Sequence, residues 1–317
     1  MKAAVVNTLG QPPRYEEFAE PLAGEGEAIV EMQAAGLHPI VKALASGQHY
    51  SSKGEVPFIA GVDGVGKLED GKIAYCLAVR PPYGTMAQRT VVARAKCIPL
   101  PEGLDPAQAA AIANPGMSAW LSLKSRAALV AGEVVLVNGA TGAAGQLAVQ
   151  AARYLGARKI IATGRNREVL AMLGADATIA LDEPEDAVSE AFIAQVRDGG
   201  IDIVIDYLWG RPTELLLGAL AKGFRPEGSR RIRLVEVGES AGKAISLPGA
   251  VLRSMDLNLC GSGFGSVPLN EIMNAIPTLF SLAAGGHLSV AVESVPLVEV
   301  EAAWTRTEKG KRIVFSI

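Results

Sequence analysis

The chain has 317 residues, of which 49% are hydrophobic and 20% charged, and its formal net charge is −3. This length exceeds the usual size of one compact core, so we expect two domains of a folded α/β protein and exclude a disordered or fibrous chain. The acidic balance, with one short basic cluster in GSRRIRLVE, argues against nucleic-acid binding. No stretch of about 18 residues is free of charges and turn formers, so we expect no membrane span.

The cysteine content and the N-terminus indicate the compartment. The three cysteines are far apart and odd in number, so they form neither a disulfide framework nor a CxxC site: Cys76, Cys97 and Cys260. The first residues lack the apolar core of a signal peptide. We therefore expect a protein of the reducing cytoplasm.

The N-terminal third predicts a β-rich, barrel-like domain, because short apolar runs are broken by glycine and proline. These runs are KAAVV, EAIVEMQAAG, KIAYCLAV and RTVVARAKCIPLP. A helix follows, with Asp105 as its expected N-cap and Pro106 at its first position. Beyond Gly132, apolar strands alternate with helical segments, which predicts a doubly wound parallel sheet.

The segment VNGATGAAG, residues 137–145, follows one of these strands and opens a helix. Gly139 permits a tight turn, Gly142 lets the backbone approach a pyrophosphate, and Gly145 lets the helix pack close to the strand. The free N–H groups of the helix start face an anion, aided by the helix dipole. The segment therefore predicts a dinucleotide site, the alternative being an ordinary tight strand-to-helix turn.

The end of the second strand, IIATGRNRE, indicates which dinucleotide binds. NAD-binding folds place an acidic residue here to bond the ribose, but this chain has Gly164, with Arg165 and Arg167 beside it. A guanidinium favours a 2′-phosphate that an acid would repel. We therefore expect NADPH. In the alternative interpretation both arginines only cover the helix start.

Nearly the whole chain resembles the medium-chain dehydrogenase/reductase superfamily, and within it the zinc-free quinone oxidoreductases of the ζ-crystallin-like group. The stretches that carry the resemblance occur in the family's order: AAGLHPIVKALASGQHY, PFIAGVDGVGKL, YGTMAQRTVV, NPGMSAW, VNGATGAAGQLAVQAARYLGA and GKRIVF. The resemblance implies a GroES-like β-rich catalytic domain over 1–116 and 265–317. It also implies a Rossmann NADP-binding domain over 117–264.

The same resemblance implies a set of cofactor contacts. They comprise the pyrophosphate turn, the ribose corner, the loops on the nicotinamide side and a lysine of the catalytic domain. The expected residues are Ser118, Gly139, Gly142, Ala143, Ala144, Gly145, Gly164, Arg165, Asn166, Arg167, Leu208, Gly238, Gly261, Gly263 and Lys311.

Departures from the zinc-dependent relatives imply a reductase without metal. The catalytic ligand positions of those relatives correspond here to His38, Val62 and Asn114, which make a poor zinc site because valine has no ligand atom. Their proton-relaying hydroxyl residue corresponds to Ile40. Quinone oxidoreductases commonly have Asn-Pro where this chain has His38 and Pro39, so the substrate pocket differs from theirs.

We therefore expect hydride transfer from NADPH to quinones, with enone or alkenal C=C reduction as one alternative and a non-catalytic NADPH-binding protein as another. Without a metal, the protein supplies orientation, a hydrogen-bond donor and exclusion of water. The candidate donors are His38, alternatively a half-buried histidine bonded to a backbone carbonyl, and Tyr50, alternatively a mobile surface aromatic. The segment LNLCGSGF resembles the strand that pairs across the family's two-fold axis, which implies a homodimer.

Overall fold

The computed structural model describes residues 1–49, 52, 54–223, 231–263, 265–306 and 310–317. Its strands are β1 (Lys2–Val6), β2 (Arg14–Glu17), β3 (Glu27–Gly36), β4 (Phe58–Ile59), β5 (Asp63–Leu68), β6 (Ile73–Leu77), β7 (Arg89–Ala93), β8 (Cys97–Pro99), β9 (Val134–Asn138), β10 (Lys159–Gly164), β11 (Ala177–Ala180), β12 (Ile203–Asp206), β13 (Ile232–Glu236), β14 (Leu257–Gly261), β15 (Ala291–Pro296) and β16 (Lys311–Ser316). Its helices are α1 (Pro39–Ala45), α2 (Pro106–Leu121), α3 (Ala143–Tyr154), α4 (Arg167–Met172), α5 (Glu185–Arg197), α6 (Gly210–Gly223), α7 (Gly249–Ser254), α8 (Leu269–Ala284) and α9 (Val300–Trp304).

The chain forms two compact units, Met1–Pro115 with Ile276–Ile317, and Gly116–Ala275. Their limits differ from the expected domain limits by one residue on the N-terminal side and by eleven on the C-terminal side. The assignment of 117–264 to cofactor binding and of the flanking segments to catalysis stays a prediction.

The first unit is β-rich. A seven-stranded sheet has the order β15-β16-β3-β5-β6-β8, with β7 also paired to β3, and a three-stranded sheet has the order β2-β1-β4. Strand β3 has one buried and one more exposed face. Ala28, Val30 and Met32 face the core, whereas Glu31 is exposed. This alternation with a period of two is typical of a strand with one solvated face.

The second unit contains a parallel six-stranded sheet in the order β11-β10-β9-β12-β13-β14. The residues of β9 and β12 are all buried, as in parallel sheets covered on both faces. Chain order reverses between β9 and β12, and ligands of such sheets bind at the carboxyl ends of the strands beside this reversal. The expected α/β fold, a β-rich part plus a doubly wound parallel sheet, is confirmed. None of the helices in the described ranges is long and apolar enough to cross a bilayer.

Candidate functional site

The glycine turn lies between β9 and α3, at the carboxyl edge of the parallel sheet. Gly139 has a φ of +89°, a conformation that side chains disfavour. A Cβ atom on Gly145 would lie 2.4 Å from the carbonyl oxygen of Gly139, so this position needs glycine for close packing. A Cβ on Gly142 would meet only the Gly139 oxygen, at 4.0 Å, so the turn is open towards a ligand there.

Helix α3 begins at this turn without a side-chain cap. Gly142 is its N-cap, with extended backbone, and no side chain accepts a hydrogen bond at the cap. The first N–H groups of a helix have no partner within it, and the helix dipole makes them attractive to an anion. Ala143 is buried and Ala144 half-buried, so small side chains surround these donors. The turn therefore fits the pyrophosphate of a dinucleotide.

The end of β10 forms the expected ribose corner. A Cβ on Gly164 would lie 2.4 Å from Cγ2 of Thr141, so this glycine lets the corner pack against the glycine turn. Asn166 caps α4, because its Oδ1 accepts a hydrogen bond from the Val169 N–H at 3.1 Å. Arg165 is exposed and forms no hydrogen bond or ion pair with any described residue.

Arg167 differs from Arg165, because two carboxylates hold its guanidinium. Its Nε donates to Oδ2 of Asp182 at 3.0 Å, and its Nη2 donates to Oε1 of Glu183 at 2.5 Å. Hydrogen bonds to Asp182 and then Glu183 raise the pKa of Arg167 above its usual value. The guanidinium in turn lowers the pKa of Asp182. Sequence reasoning treated the two arginines alike, and the structure separates them.

A buried polar network lies beneath the turn. Asn138 Nδ2 and Thr213 Oγ1 donate to the Asp206 carboxylate at 2.9 and 2.5 Å, and Thr163 Oγ1 donates to Asn138 Oδ1 at 2.7 Å. Thr163 also accepts from the Gly139 N–H at 3.1 Å. Burial raises the pKa of Asp206, and the hydrogen bonds to its carboxylate offset part of that rise. The network fixes the glycine turn to three strand ends, and sequence reasoning missed it.

The loops that we expect on the nicotinamide side follow β12, β13 and β14. The Asp206 carboxylate accepts from the backbone N–H groups of Leu208 and Trp209 at 3.0 and 3.2 Å. The Leu208 side chain packs on Gly139, where a Cβ would lie 2.9 Å from its Cδ2. Within this unit a cavity of about 250 Å³ is lined by Trp209, Glu236, Glu239, Lys243, Leu259, Cys260 and Gly261. Burial, followed by the charges of Asp206 and Glu239, raises the pKa of Glu236.

The remaining expected cofactor contacts lie on several elements. A Cβ on Gly238 would lie 3.2 Å from the Tyr207 carbonyl oxygen, and the Gly263 N–H donates to Ser266 Oγ at 2.7 Å. Gly261 ends β14 and lines the cavity. Ser118 is half-buried on α2, and Lys311 is exposed at the start of β16. The structure thus groups the turn, the ribose corner and the loops of the second unit at the carboxyl ends of the strands.

His38 belongs to a buried cluster in the first unit. It precedes α1 and has no exposed surface, and its Nε2 lies 3.5 Å from Oδ1 of Asp63. Oδ2 of Asp63 accepts a hydrogen bond from the Tyr75 hydroxyl at 2.7 Å. A Cβ on Gly36 would lie 2.4 Å from His38 Nε2. Within the described residues, both ring nitrogens of His38 and Oδ1 of Asp63 have no hydrogen-bond partner.

Sequence reasoning missed Asp63 and Tyr75, although PFIAGVDGVGKL contains Asp63 directly after Val62. Burial, followed by the charge of Asp63, raises the pKa of Tyr75 well above its usual value, so its hydroxyl stays a donor. Tyr50, the second expected donor, lies outside the described residues. No group of three or more His, Cys, Asp or Glu residues in the described ranges is arranged to hold a metal ion.

The parallel sheet and its glycine turn are typical of the Rossmann-like dinucleotide-binding fold. Comparisons with known proteins indicate the family within this fold. No protein-family model matches the chain. The quinone oxidoreductase of Thermus thermophilus, also solved as its complex with NADPH, is 30% identical with a TM-score of 0.82, and the match covers 100% of both chains. A probable NADPH-dependent quinone reductase of Emericella nidulans is 28% identical over 99% of each chain.

A third relative, prostaglandin reductase-3 of Bos taurus, is 29% identical over 93% of this chain and 78% of its own. The chain belongs to the quinone oxidoreductase branch of the medium-chain dehydrogenase/reductase superfamily. The resemblance drawn from the sequence stretches is thereby confirmed.

Proposed function

We propose that this protein is an NADPH-dependent, metal-independent reductase that transfers hydride to quinones. The observation that carries the proposal is the cation Arg165 at the end of β10, which is exposed and has no hydrogen-bond or ion-pair partner among the described residues, beside a glycine turn that is open at Gly142. An arginine in this place favours a 2′-phosphate, and the open turn accepts the pyrophosphate. The named relatives from Emericella nidulans and Thermus thermophilus support the same cofactor and substrate class.

Each group of proposed contact residues binds a different part of NADPH. The turn residues bind the pyrophosphate through backbone N–H groups, Gly164, Arg165 and Asn166 surround the adenosine ribose, and the later loops flank the nicotinamide. Lys311 is the remaining expected contact, a cation for the cofactor phosphates that the family resemblance implies. Bound NADPH supplies the hydride, and the protein supplies orientation and exclusion of water.

Negative charge develops on the quinone oxygen during reduction, so a hydrogen-bond donor accelerates the step. His38 and Tyr50 are the proposed donors. His38 has two ring nitrogens without a partner in the described part of the chain but no exposed surface, so it reaches a substrate only when neighbouring side chains move. We expect His38→Gln and Tyr50→Phe to lower kcat with quinone and leave the Kd of NADPH unchanged. Unchanged kcat in both variants would assign the donor role elsewhere.

The test of the function is the consumption of NADPH, with NADH as the control, against a panel of quinones and a panel of α,β-unsaturated carbonyl compounds. We expect turnover of quinones with NADPH and a much lower kcat/KM with NADH. Tight NADPH binding without turnover of any acceptor would support a non-catalytic binding protein instead.

The second candidate function is NADPH-dependent reduction of enones or alkenals. The observation that favours it is the 29% identity to prostaglandin reductase-3. In both reactions hydride reaches a carbon conjugated to a carbonyl group, so the cofactor site is the same and the shape of the substrate pocket decides. Higher kcat/KM on the unsaturated carbonyl panel than on the quinone panel would establish this second function.

We further propose a homodimer in which two copies of β14 pair. Within the described residues β14 is an edge strand that pairs with no strand other than β13, and Leu259 on it is 37% exposed. An exposed edge of this kind is protected when it pairs with a second copy. We expect the mass of a dimer in light scattering and of a monomer for Leu259→Lys. Val130→Lys, at another exposed apolar residue, is the control that should stay dimeric.

The cytoplasmic location is also a proposal. It is supported by the free thiols of Cys76, Cys97 and Cys260, because unpaired cysteines are typical of proteins in a reducing compartment.

A further inference from the structure

The two arginines of the ribose corner stand in different electrostatic environments. Arg165 has no partner among the described residues, whereas Arg167 donates to Asp182 and Glu183. The two carboxylates reach the corner because β11 pairs in parallel with β10, with Gly164 opposite Ala180. The Leu181 N–H continues this pairing by donating to the Gly164 carbonyl at 2.8 Å. The acids therefore belong to the same corner as the arginines.

Both carboxylates of the corner lie against Arg167, so Arg167, Asp182 and Glu183 together carry a net charge of −1. Arg165 has no such partner among the described residues, so its charge stays available to a 2′-phosphate. The Nε and Nη2 donors of Arg167 are already used by Asp182 and Glu183. A phosphate that binds Arg167 must either displace a carboxylate or use the remaining N–H donors of the guanidinium, and in both cases it meets repulsion from the two acids.

We infer that Asp182 and Glu183 are specificity-determining residues: they neutralise Arg167, limit the affinity for NADPH, and leave Arg165 as the residue that distinguishes NADPH from NADH. The inference rests on the proposed function. It separates two residues that the sequence pattern treats as equivalent, and it assigns a role to two acids that lie outside the glycine turn.

The experiment measures the Kd of NADPH and of NADH by calorimetry, without a quinone, for the full chain at low ionic strength. We expect Asp182→Asn/Glu183→Gln to bind NADPH about tenfold to a hundredfold more tightly, the effect of one freed charged hydrogen bond. The Kd of NADH should stay unchanged. Adding Arg167→Gln to this double variant should remove most of the gain in NADPH affinity, because the guanidinium that the double variant frees is then absent.

Arg165→Gln should weaken NADPH binding by about tenfold to a hundredfold in the wild-type background. It should weaken binding less in the Asp182→Asn/Glu183→Gln background, where Arg167 is free to compensate. High salt should reduce every one of these differences, since the corner is exposed.

A matched control changes the same charge at the opposite edge of the sheet. Asp198 pairs with Lys159 at the start of β10, and Asp256 pairs with Arg231 just before β13 and β14. Asp198→Asn/Asp256→Asn removes two paired carboxylates at the amino ends of the strands, and we expect it to change the Kd of NADPH less than about twofold, because salt screens distant surface charges.

The possible outcomes distinguish the inference about Asp182 and Glu183 from the proposed reductase function. Unchanged or weaker NADPH binding by Asp182→Asn/Glu183→Gln, or an equal gain in the control, overturns the inference even if quinone turnover is normal. The expected pattern of Kd values without turnover of any acceptor supports the inference and overturns the proposed reductase. A wild-type protein that binds neither dinucleotide overturns both.

Discussion

Each of the two compact units buries a small cluster of polar side chains, and the clusters differ in how completely their hydrogen bonds are formed. In the second unit, Asn138, Thr163, Asp206 and Thr213 bond to one another and to the backbone of the glycine turn and the Leu208 loop. In the first unit, His38 and Asp63 leave three buried polar atoms without a partner in the described ranges.

A buried network in which every polar group is hydrogen-bonded favours one rigid arrangement. A buried polar group without a hydrogen bond lowers the stability of the fold. We call the cluster of Asn138, Thr163, Asp206 and Thr213 the scaffold cluster, and the cluster of His38, Asp63 and Tyr75 the histidine cluster. The scaffold cluster fixes backbone that a dinucleotide contacts in our proposal. The histidine cluster keeps hydrogen-bonding capacity that a reaction can use. In our proposal, therefore, the scaffold cluster of the second unit stabilises the fold, and the histidine cluster of the first unit serves the reaction.

The largest expected effect comes from removing the central acid of each cluster, Asp206 or Asp63. We expect Asp206→Ala to lower the free energy of unfolding by about 3–5 kcal/mol, because it leaves Asn138, Thr213 and two backbone N–H groups unpaired. Asp63→Ala should cost only about 1–3 kcal/mol, since one side-chain donor, Tyr75, loses its acceptor. Urea unfolding followed by circular dichroism measures both. Equal costs for the two variants would contradict the comparison.

The packing of the histidine cluster gives the next largest effect. We expect Gly36→Ala to lower the free energy of unfolding by about 1–3 kcal/mol, because its methyl group would overlap the His38 ring and press on the Ala110 carbonyl oxygen, 3.0 Å from the Cβ position. Thermal unfolding measures the loss, and the Gly36→Ala/His38→Ala double variant should recover most of it.

The matched control for that substitution is Gly218→Ala. Gly218 lies inside α6, and a Cβ there meets nothing within 4 Å. We expect this variant to gain up to about 1 kcal/mol, the helix propensity of alanine over glycine. If Gly36→Ala were as harmless as this control, the His38 ring would be free to move, and the histidine cluster would not be a packed one.

The hydrogen bond from the Tyr75 hydroxyl to Asp63 is the next contact of the histidine cluster to test. We expect Tyr75→Phe to cost about 1–2 kcal/mol, because the buried Asp63 carboxylate then loses its side-chain donor. In an Asp63→Ala background the same substitution should cost almost nothing, which a double-mutant cycle measures as coupling energy. Equal costs in both backgrounds would show that the hydroxyl contributes nothing through Asp63.

Much of the second unit could be predicted from the sequence, because the responsible signals are local. Glycine spacing after an apolar strand predicted the turn, and Gly145 has the close contact that the spacing implied. Local signals were equally informative in the first unit, where Asp105 Oδ1 accepts from the Gln108 N–H at 2.9 Å and α2 begins at Pro106, which confirms the N-cap prediction. Each signal lies within a few residues of its effect.

The partners of His38 and Arg167 could not be predicted, because they depend on the register between strands. Asp63 is opposite Leu77 on β6, and Tyr75 is its diagonal neighbour two residues away on the same face. The carboxylates of Asp182 and Glu183 reach Arg167 only through the pairing of β10 with β11. No local pattern contains these registers, so in both units the polar contacts between different strands were less predictable than the local turns and caps.

The smallest expected effect tests the scaffold cluster through pH. Burial raises the pKa of Asp206 above its ordinary value of 3.8, whereas in the unfolded chain it titrates near that value. Between the two values the native state binds more protons than the unfolded state, so acidification adds stability through this group, and the gain is complete below the ordinary value. Asp206→Asn does not titrate, so the unfolding free energy of the wild type minus that of the variant should rise as the pH falls through this window. A difference that falls instead would mean that the hydrogen bonds outweigh burial, and the scaffold cluster would then stabilise a full negative charge beneath the glycine turn.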